Sequence, residues 1–278
     1  MRVTIFGASG LLGQALTKEW QGDSVTGLSS RDADIRDEKR VQTLVQEQRP
    51  DWIVLAAAYT DVDGCESNPE LAFTVNRDGA ANVAKAAKMR GARLLFLSSD
   101  YVFDGEKRRP YETDDPRNPR TVYGRSKAEA EFQLLQLLPD CCIVRTSWLF
   151  GTGGKCFPDT ILKLAASRPA IDVVDDQRGS PTYAVDLSQA ITQLCRKNAE
   201  GIVHATNTGD CTWFEFAQEI VRASGLETKV RPVSSEKMAR PARRPAYSVL
   251  SPERLQRLGI ATPSWQDALQ RYLKARHS

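Results

Sequence analysis

The chain has 278 residues, enough for one large α/β unit or for a main domain with a smaller lobe. Its 38 basic and 35 acidic residues leave a net charge of +3, and the densest basic cluster, Arg240, Arg243 and Arg244, is too small for a nucleic-acid footprint, so no nucleic-acid partner is expected. The six cysteines, Cys65, Cys141, Cys142, Cys156, Cys195 and Cys211, contain no CxxC pair, and only His204 and His277 could join them, which speaks against a zinc site and leads to an expectation of no metal. The opening MRVTIFGASG meets glycine at once, and no apolar run reaches ~18 residues, which argues against a signal peptide or membrane span and for a cytoplasmic protein with reduced thiols. Arg2 to Phe6 is β-branched and apolar and reads as a buried strand. Gly7, Gly10 and Gly13 follow, then a helical QALTKEW. Strand, glycine loop and helix in this order form a nucleotide-binding turn, because glycines admit close backbone approach and the helix amino terminus attracts a pyrophosphate. Ser9, Leu11 and Leu12 share that cradle.

The glycine spacing is GxxGxxG, which resembles the extended branch of the short-chain dehydrogenase/reductase superfamily. A second strand is expected over 23–28, and Ser29, Ser30 and Arg31 follow it where an NAD-specific protein carries a carboxylate. Hydroxyls and an arginine there favour a 2′-phosphate, so NADPH is the expected cofactor, with NADH as the alternative; Asp32 and Asp34 lie close by. Asp34 and Ile35 resemble the pair that meets the adenine amino group and ring, although an aspartate capping a helix is the competing reading. A helix over 41–48 ends at Pro50, and WIVLAAAYT reads as a third strand that delivers Ala57, Ala58, Tyr59 and Thr60 to the cofactor. Residues 69–90 read as one Ala-rich helix, within which Asn76 matches an asparagine that supports the superfamily's active site. A fourth strand over 93–97 brings Leu97 to the cofactor and ends in Ser98, Ser99, Asp100 and Tyr101. The run 121–137 is a helix that carries Tyr123 and Lys127 one turn apart on one face, and 141–145 is a fifth strand.

Five strands alternating with helices predict an α/β fold with a Rossmann-type, doubly wound parallel sheet. After Trp148 the pattern loosens into a smaller, discontinuous carboxyl-terminal substrate lobe. The expected division is 1–150 for dinucleotide binding, with 183–205 returning to it, and 151–182 plus 206–278 for the lobe.

Hydride transfer to a ketone needs a cofactor beside the carbonyl, a proton donor for the emerging alkoxide and a hydrogen bond that fixes the oxygen. Tyr123 is the candidate donor, Lys127 the neighbour expected to lower its pKa and to bond the nicotinamide ribose, and Ser99 the group that holds the oxygen. SSDYVFDG (98–105), VYGRSK, RTSWLFG (145–151), DDQRGSPT (175–182) and RPAYSVL (244–250) together resemble the dTDP-4-dehydrorhamnose reductase family and span most of the chain. The resemblance implies reduction of the 4-keto group of dTDP-4-dehydro-L-rhamnose, with Ser99, Asp100 and Trp148 touching the sugar. It also implies an outer wall from Gln177, Gly179 and Thr182, and a homodimer among its assemblies. Arg244 offers a bidentate fork to the diphosphate. Ser99 stands where threonine is common and Tyr59 where histidine is common, and the lobe is short. Sugar-nucleotide dehydratases and epimerases share the Tyr/Lys helix, but a dehydratase carries glutamate where Tyr101 stands. The regulatory subunit of methionine adenosyltransferase, an NADP-binding protein, shares many of the same motifs and is the non-enzymatic alternative.

Overall fold

A computed structural model describes residues 1–276, so His277 lies outside the described residues. The chain opens with β1 (Arg2–Phe6), α1 (Leu11–Glu19), β2 (Ser24–Leu28), α2 (Glu38–Gln48) and β3 (Trp52–Leu55). It continues through α3 (Val62–Ser67), α4 (Pro69–Phe73), α5 (Ala80–Arg90), β4 (Arg93–Ser99), α6 (Val122–Leu137) and β5 (Cys142–Thr146). Then come β6 (Leu149–Phe150), α7 (Phe157–Ala165), β7 (Ala170–Val174), β8 (Arg178–Gly179), β9 (Thr182–Tyr183), α8 (Ala184–Arg196) and β10 (Gly201–His204). The last elements are β11 (Cys211–Thr212), α9 (Trp213–Ala223), β12 (Lys229–Val233), α10 (Glu253–Arg257) and α11 (Trp265–Ala275).

Six strands form the central sheet in the order β10-β5-β4-β3-β1-β2, and every pairing is parallel. Helices cover both faces, so the inner strands are apolar on both sides: Ile53, Val54 and Leu55 are fully buried. One face packs α1 and α8 through Leu12, Leu16, Leu187 and Ile191; the other packs α2 and α5 through Val41, Val45, Val83 and Ala87. Strand order reverses between β1 and β3, which opens a crevice at their carboxyl ends where dinucleotides bind. The sheet has one strand more than the five expected, because β10 pairs with β5 along Ile202↔Ile143 and Val203↔Val144.

Three boundaries depart from the sequence reading. The third strand stops at Leu55, its last partner being Phe96, and 56–60 leaves the sheet towards the crevice. The second helix begins at Glu38 because the Asp37 side chain accepts from the Arg40 amide and caps it. The helix over 69–90 is interrupted by a π-helical turn over Thr74–Gly79, which turns Asn76 inward.

The carboxyl-terminal residues build a separate apolar cluster on Phe150, Tyr183, Phe216, Trp265 and Tyr272, between α7, α9 and α11. Two short ribbons, β7 with β12 and β8 with β11, lie beside it.

Candidate active site

The glycine loop is shaped for close approach. Gly7 has φ +90°, and a Cβ there would stand 2.5 Å from the Ala57 amide nitrogen, so only glycine lets β1 meet the chain leaving β3. A Cβ at Gly13 would stand 2.1 Å from the Gly7 carbonyl, whereas at Gly10 it would meet nothing nearer than that same carbonyl at 3.4 Å. α1 begins with no side-chain cap and no acid in its first turn. Its leading amides therefore remain available to an anion, and the residues fit a dinucleotide pyrophosphate.

At the end of β2 the acids are already engaged. Asp32 accepts from the Ser29 amide (2.8 Å) and hydroxyl (2.6 Å), and Asp34 is held by Arg36 through Nε (3.0 Å) and a guanidinium nitrogen at 2.5 Å. Ser30 and Arg31 are exposed, and among the described residues the Arg31 guanidinium has no partner. Ile35 is buried against Gly79. Across the crevice, Asn76 accepts from the Tyr59 amide (2.8 Å), donates to the Tyr59 carbonyl (3.0 Å) and donates to Ser126 Oγ (2.9 Å). It thus clips the segment bearing Ala57, Ala58, Tyr59 and Thr60 to α6.

β4 and α6 bring the reactive groups together. Thr121 caps α6 by accepting from the Gly124 amide, and a Cβ on Gly124 would stand 2.1 Å from the Tyr101 carbonyl. The helix therefore lies directly on the turn that follows Ser99. Tyr123 packs edge-on against Tyr101 at 5.5 Å and has Ser99 as a hydrogen-bonding neighbour. Burial pushes the Tyr123 phenol above its ordinary pKa, Ser99 draws it back down, and Asp100 and Cys65 raise it further. Lys127 is 2 % exposed, and its Nζ lies 4.1 Å from the centre of the Phe96 ring. Burial lowers the Lys127 ammonium to about 7, against an opposing pull from Glu131. The expectation that Lys127 depresses the tyrosine pKa is thereby corrected: both groups are desolvated, and Ser99 is the neighbour that favours the phenolate. Below them Glu131 is fully buried and neutralised by Arg145 (2.9 and 2.7 Å), with Ser98 donating at 2.5 Å. His204 faces Arg145, and burial with that charge holds it down at about 3, hence neutral.

A cavity of about 730 Å³ opens beside this group, lined by Tyr101, Phe157, Gln177, Trp213, Arg240 and Arg243 among others. Trp148 has φ +45°, an unfavourable conformation for a bulky residue, which turns its ring onto Trp213 (3.5 Å, 7°) and close to Gly179. Trp213 covers one face of Trp148 and itself lines the cavity, a role that its position at the start of a plain amphipathic helix did not reveal. Gln177 lines the cavity too, and donates to Ser235 at 2.7 Å. Arg244 lines it as expected, but its fork is taken: both guanidinium nitrogens bind Asp63 on α3, one of them at 2.8 Å, and the Ala242 amide donates to the same carboxylate at 3.1 Å. Arg244 holds the Asp63 carboxyl down at about 2. Arg243 is exposed and, among the described residues, unpaired. Asp63 was not among the residues that the sequence singled out. The aspartate-rich spacing DVDG near a strand end was the available signal.

A parallel doubly wound sheet, a glycine cradle and a buried Ser/Tyr/Lys group at the strand ends define an NAD(P)H-dependent oxidoreductase. Comparison with known proteins narrows this: the chain belongs to the RmlD substrate binding domain family, whose profile matches residues 1–278. It is 44% identical over 278 residues to a dTDP-4-dehydrorhamnose reductase of Streptomyces griseus, covering 96% of this chain and 91% of that one. It is 40% identical over 274 residues to a dTDP-4-keto-6-deoxy-D-glucose reductase of Streptomyces niveus, covering 96% and 95%. The crystal structure of dTDP-4-dehydrorhamnose reductase from Bacillus anthracis str. Ames in complex with NADP matches with a TM-score of 0.96 at 39% identity over 99% of both chains.

Proposed function

We infer that the chain reduces the 4-keto group of a deoxyhexose nucleotide with NADPH, dTDP-4-dehydro-L-rhamnose being the substrate and dTDP-L-rhamnose the product. The convergence of Ser99 and Tyr123, with Tyr101 packed on Tyr123 and itself lining a cavity with aromatic walls and basic residues, carries this reading. Bound NADPH supplies the hydride. Tyr123 gives its proton to the oxygen as negative charge develops there, and its raised pKa keeps that proton in place at neutral pH. Ser99 orients the same oxygen, and Lys127 holds a ribose hydroxyl. Trp213 gives the sugar an apolar wall and excludes water, with Trp148 stacked behind it, while Arg243 offers an unpaired cation to the diphosphate. Gly7, Ser9, Gly10, Leu11, Leu12 and Gly13 would cradle the pyrophosphate, and Ser30 and Arg31 would meet the 2′-phosphate.

In this reading residues 1–150 and 183–205 bind the dinucleotide, and 151–182 with 206–278 form the substrate lobe; the protein acts as a cytoplasmic homodimer. Among the described residues no helix is long and apolar enough to cross a membrane. The test is NADPH oxidation with dTDP-4-dehydro-L-rhamnose, dTDP-4-keto-6-deoxy-D-glucose and a UDP-linked 4-ketosugar in parallel. Preference of about ten-fold or more in kcat/KM for the first supports the reading. NADPH binding without turnover on any of them overturns it in favour of a binding protein.

A further inference from the structure

Asp100 follows Ser99 and is 2 % exposed, so its carboxyl is bounded almost wholly by protein. Its Oδ1 accepts the Ser99 hydroxyl at 2.8 Å, and Ser99 Oγ accepts the Tyr101 amide at 3.2 Å. A serine hydroxyl has one proton and two lone pairs. While that proton is committed to Asp100, Ser99 has nothing to donate to a ketone; only when it is turned away from Asp100 can it serve the Tyr123 oxygen or the substrate. The second Asp100 oxygen and Ser248 Oγ are both buried without a hydrogen bond of ordinary geometry, and Ser248 faces the carboxyl from the carboxyl-terminal segment. Such an oxygen is costly as a carboxylate and acceptable as part of a neutral acid.

We propose that Asp100 is a positioning residue that decides whether Ser99 donates to the substrate: the neutral carboxyl turns its own proton to Ser99 Oγ and releases the serine proton towards the ketone oxygen, whereas the ionised carboxylate withdraws it. The proposal rests on the reductase reading and adds to it the state in which the site is competent. Burial raises Asp100 to about 6, with Ser248, Ser99 and neighbouring amides pulling it back. The groups facing it are Ser99 and Tyr101 on its own segment, Tyr123 on α6 and Ser248. Arg244 and Asp63 stand beyond Tyr101, and Cys65 beyond Tyr123. Among these only Asp100 titrates near neutrality. Lys127, at about 7, is absent from the groups that act on Tyr123.

Two measurements test this. In kcat/KM for the sugar nucleotide, wild type should fall about ten-fold for each pH unit above the Asp100 pKa, and Asp100→Asn, whose amide donates to Ser99 at every pH, should lose that limb while its NADPH affinity stays within about two-fold. An Asp100→Asn profile with the wild-type limb intact overturns the proposal. The second readout needs no turnover. The Asp100 carboxyl, followed by carbon NMR through pH, should titrate about one unit higher in Ser99→Ala, where the carboxylate has lost its donor. An unchanged titration shows the two groups uncoupled and overturns the proposal even if no tested sugar is reduced, while a wild-type protein inactive on every sugar but showing the shift overturns only the reductase reading.

Discussion

Tyr123 and Lys127 carry a phenol and an amine one helical turn apart on α6, and burial shifts both, raising the pKa of the first and lowering that of the second. That burial is contributed by strands and loops distant in sequence. The structure makes Tyr123 a strong holder of its proton and Lys127 a group near half-protonation at neutral pH. Tyr123→Phe should therefore lower kcat by about 10²–10⁴-fold with NADPH affinity unchanged within about two-fold, as measured by steady-state kinetics beside fluorescence titration. Lys127→Met should weaken NADPH binding as well as turnover. Retention of both would show that the buried ammonium serves packing against Phe96 and nothing else. The spacing of Tyr123 and Lys127 was legible in the sequence, but their titration, which rests on residues distant along the chain, was not, and the same distinction applies to Arg244. Its residue type and place beside the cavity were readable, but its bidentate commitment to Asp63 was not, because the two are 181 positions apart.

The sheet strands and the helices on its faces were readable because apolar runs and helical periodicity are local properties. The interruption over Thr74–Gly79 was not, because an Ala-rich run favours helix throughout and the π-helical turn is selected by what Asn76 must reach: Tyr59 on one side and Ser126 on the other. The strand at Gly201–His204 falls in the stretch 183–205 that the sequence assigns back to the first part of the chain, but its membership of the central sheet required the pairing with β5. The placement of α6 tests how finely these elements are set. Gly124 has ordinary helical surroundings in sequence, yet its missing Cβ is what lets the helix lie against the Tyr101 carbonyl. Gly124→Ala should move α6 away from the end of β4, costing about 1–3 kcal/mol of stability as for overpacking in a core. Since Tyr123 precedes that glycine, kcat should fall about ten-fold or more while Gly10-side contacts to the cofactor persist. Thermal unfolding and kinetics on the same preparation check both halves; a variant as active and as stable as wild type would show that the contact has room to give.

At the scale of the whole molecule, the most consequential connection joins the part built on the central sheet to the loop that lines the cavity. Asp63 lies just past the segment that Asn76 clips, and it gathers the Arg244 guanidinium and the Ala242 amide, with Arg240 at 3.9 Å. The carboxylate side chain is 30% exposed and Arg244 15%, so the pair is a partly screened latch. Its pKa, depressed to about 2 from an unfolded value near ~3.9, fixes the sign of its contribution. The folded state holds the ionised form more tightly than the unfolded chain does, so the stabilisation is full above the unfolded pKa and is lost as pH falls through about 4 towards 2. After discounting for solvent the contribution is about 1–2 kcal/mol. Asp63→Asn should therefore be less stable than wild type in urea at pH near ~6, with the difference closing as the pH is taken down to ~3. The same variant frees the loop that presents Arg240 and Arg243 to the cavity. KM for the nucleotide sugar should rise about ten-fold, while NADPH affinity changes by less than about two-fold, because the glycine cradle is untouched. A KM that instead falls would mean that the Arg244 fork belongs to the diphosphate and that Asp63 competes for it. An unchanged KM together with a constant stability gap would mean that the latch joins the two halves without organising either.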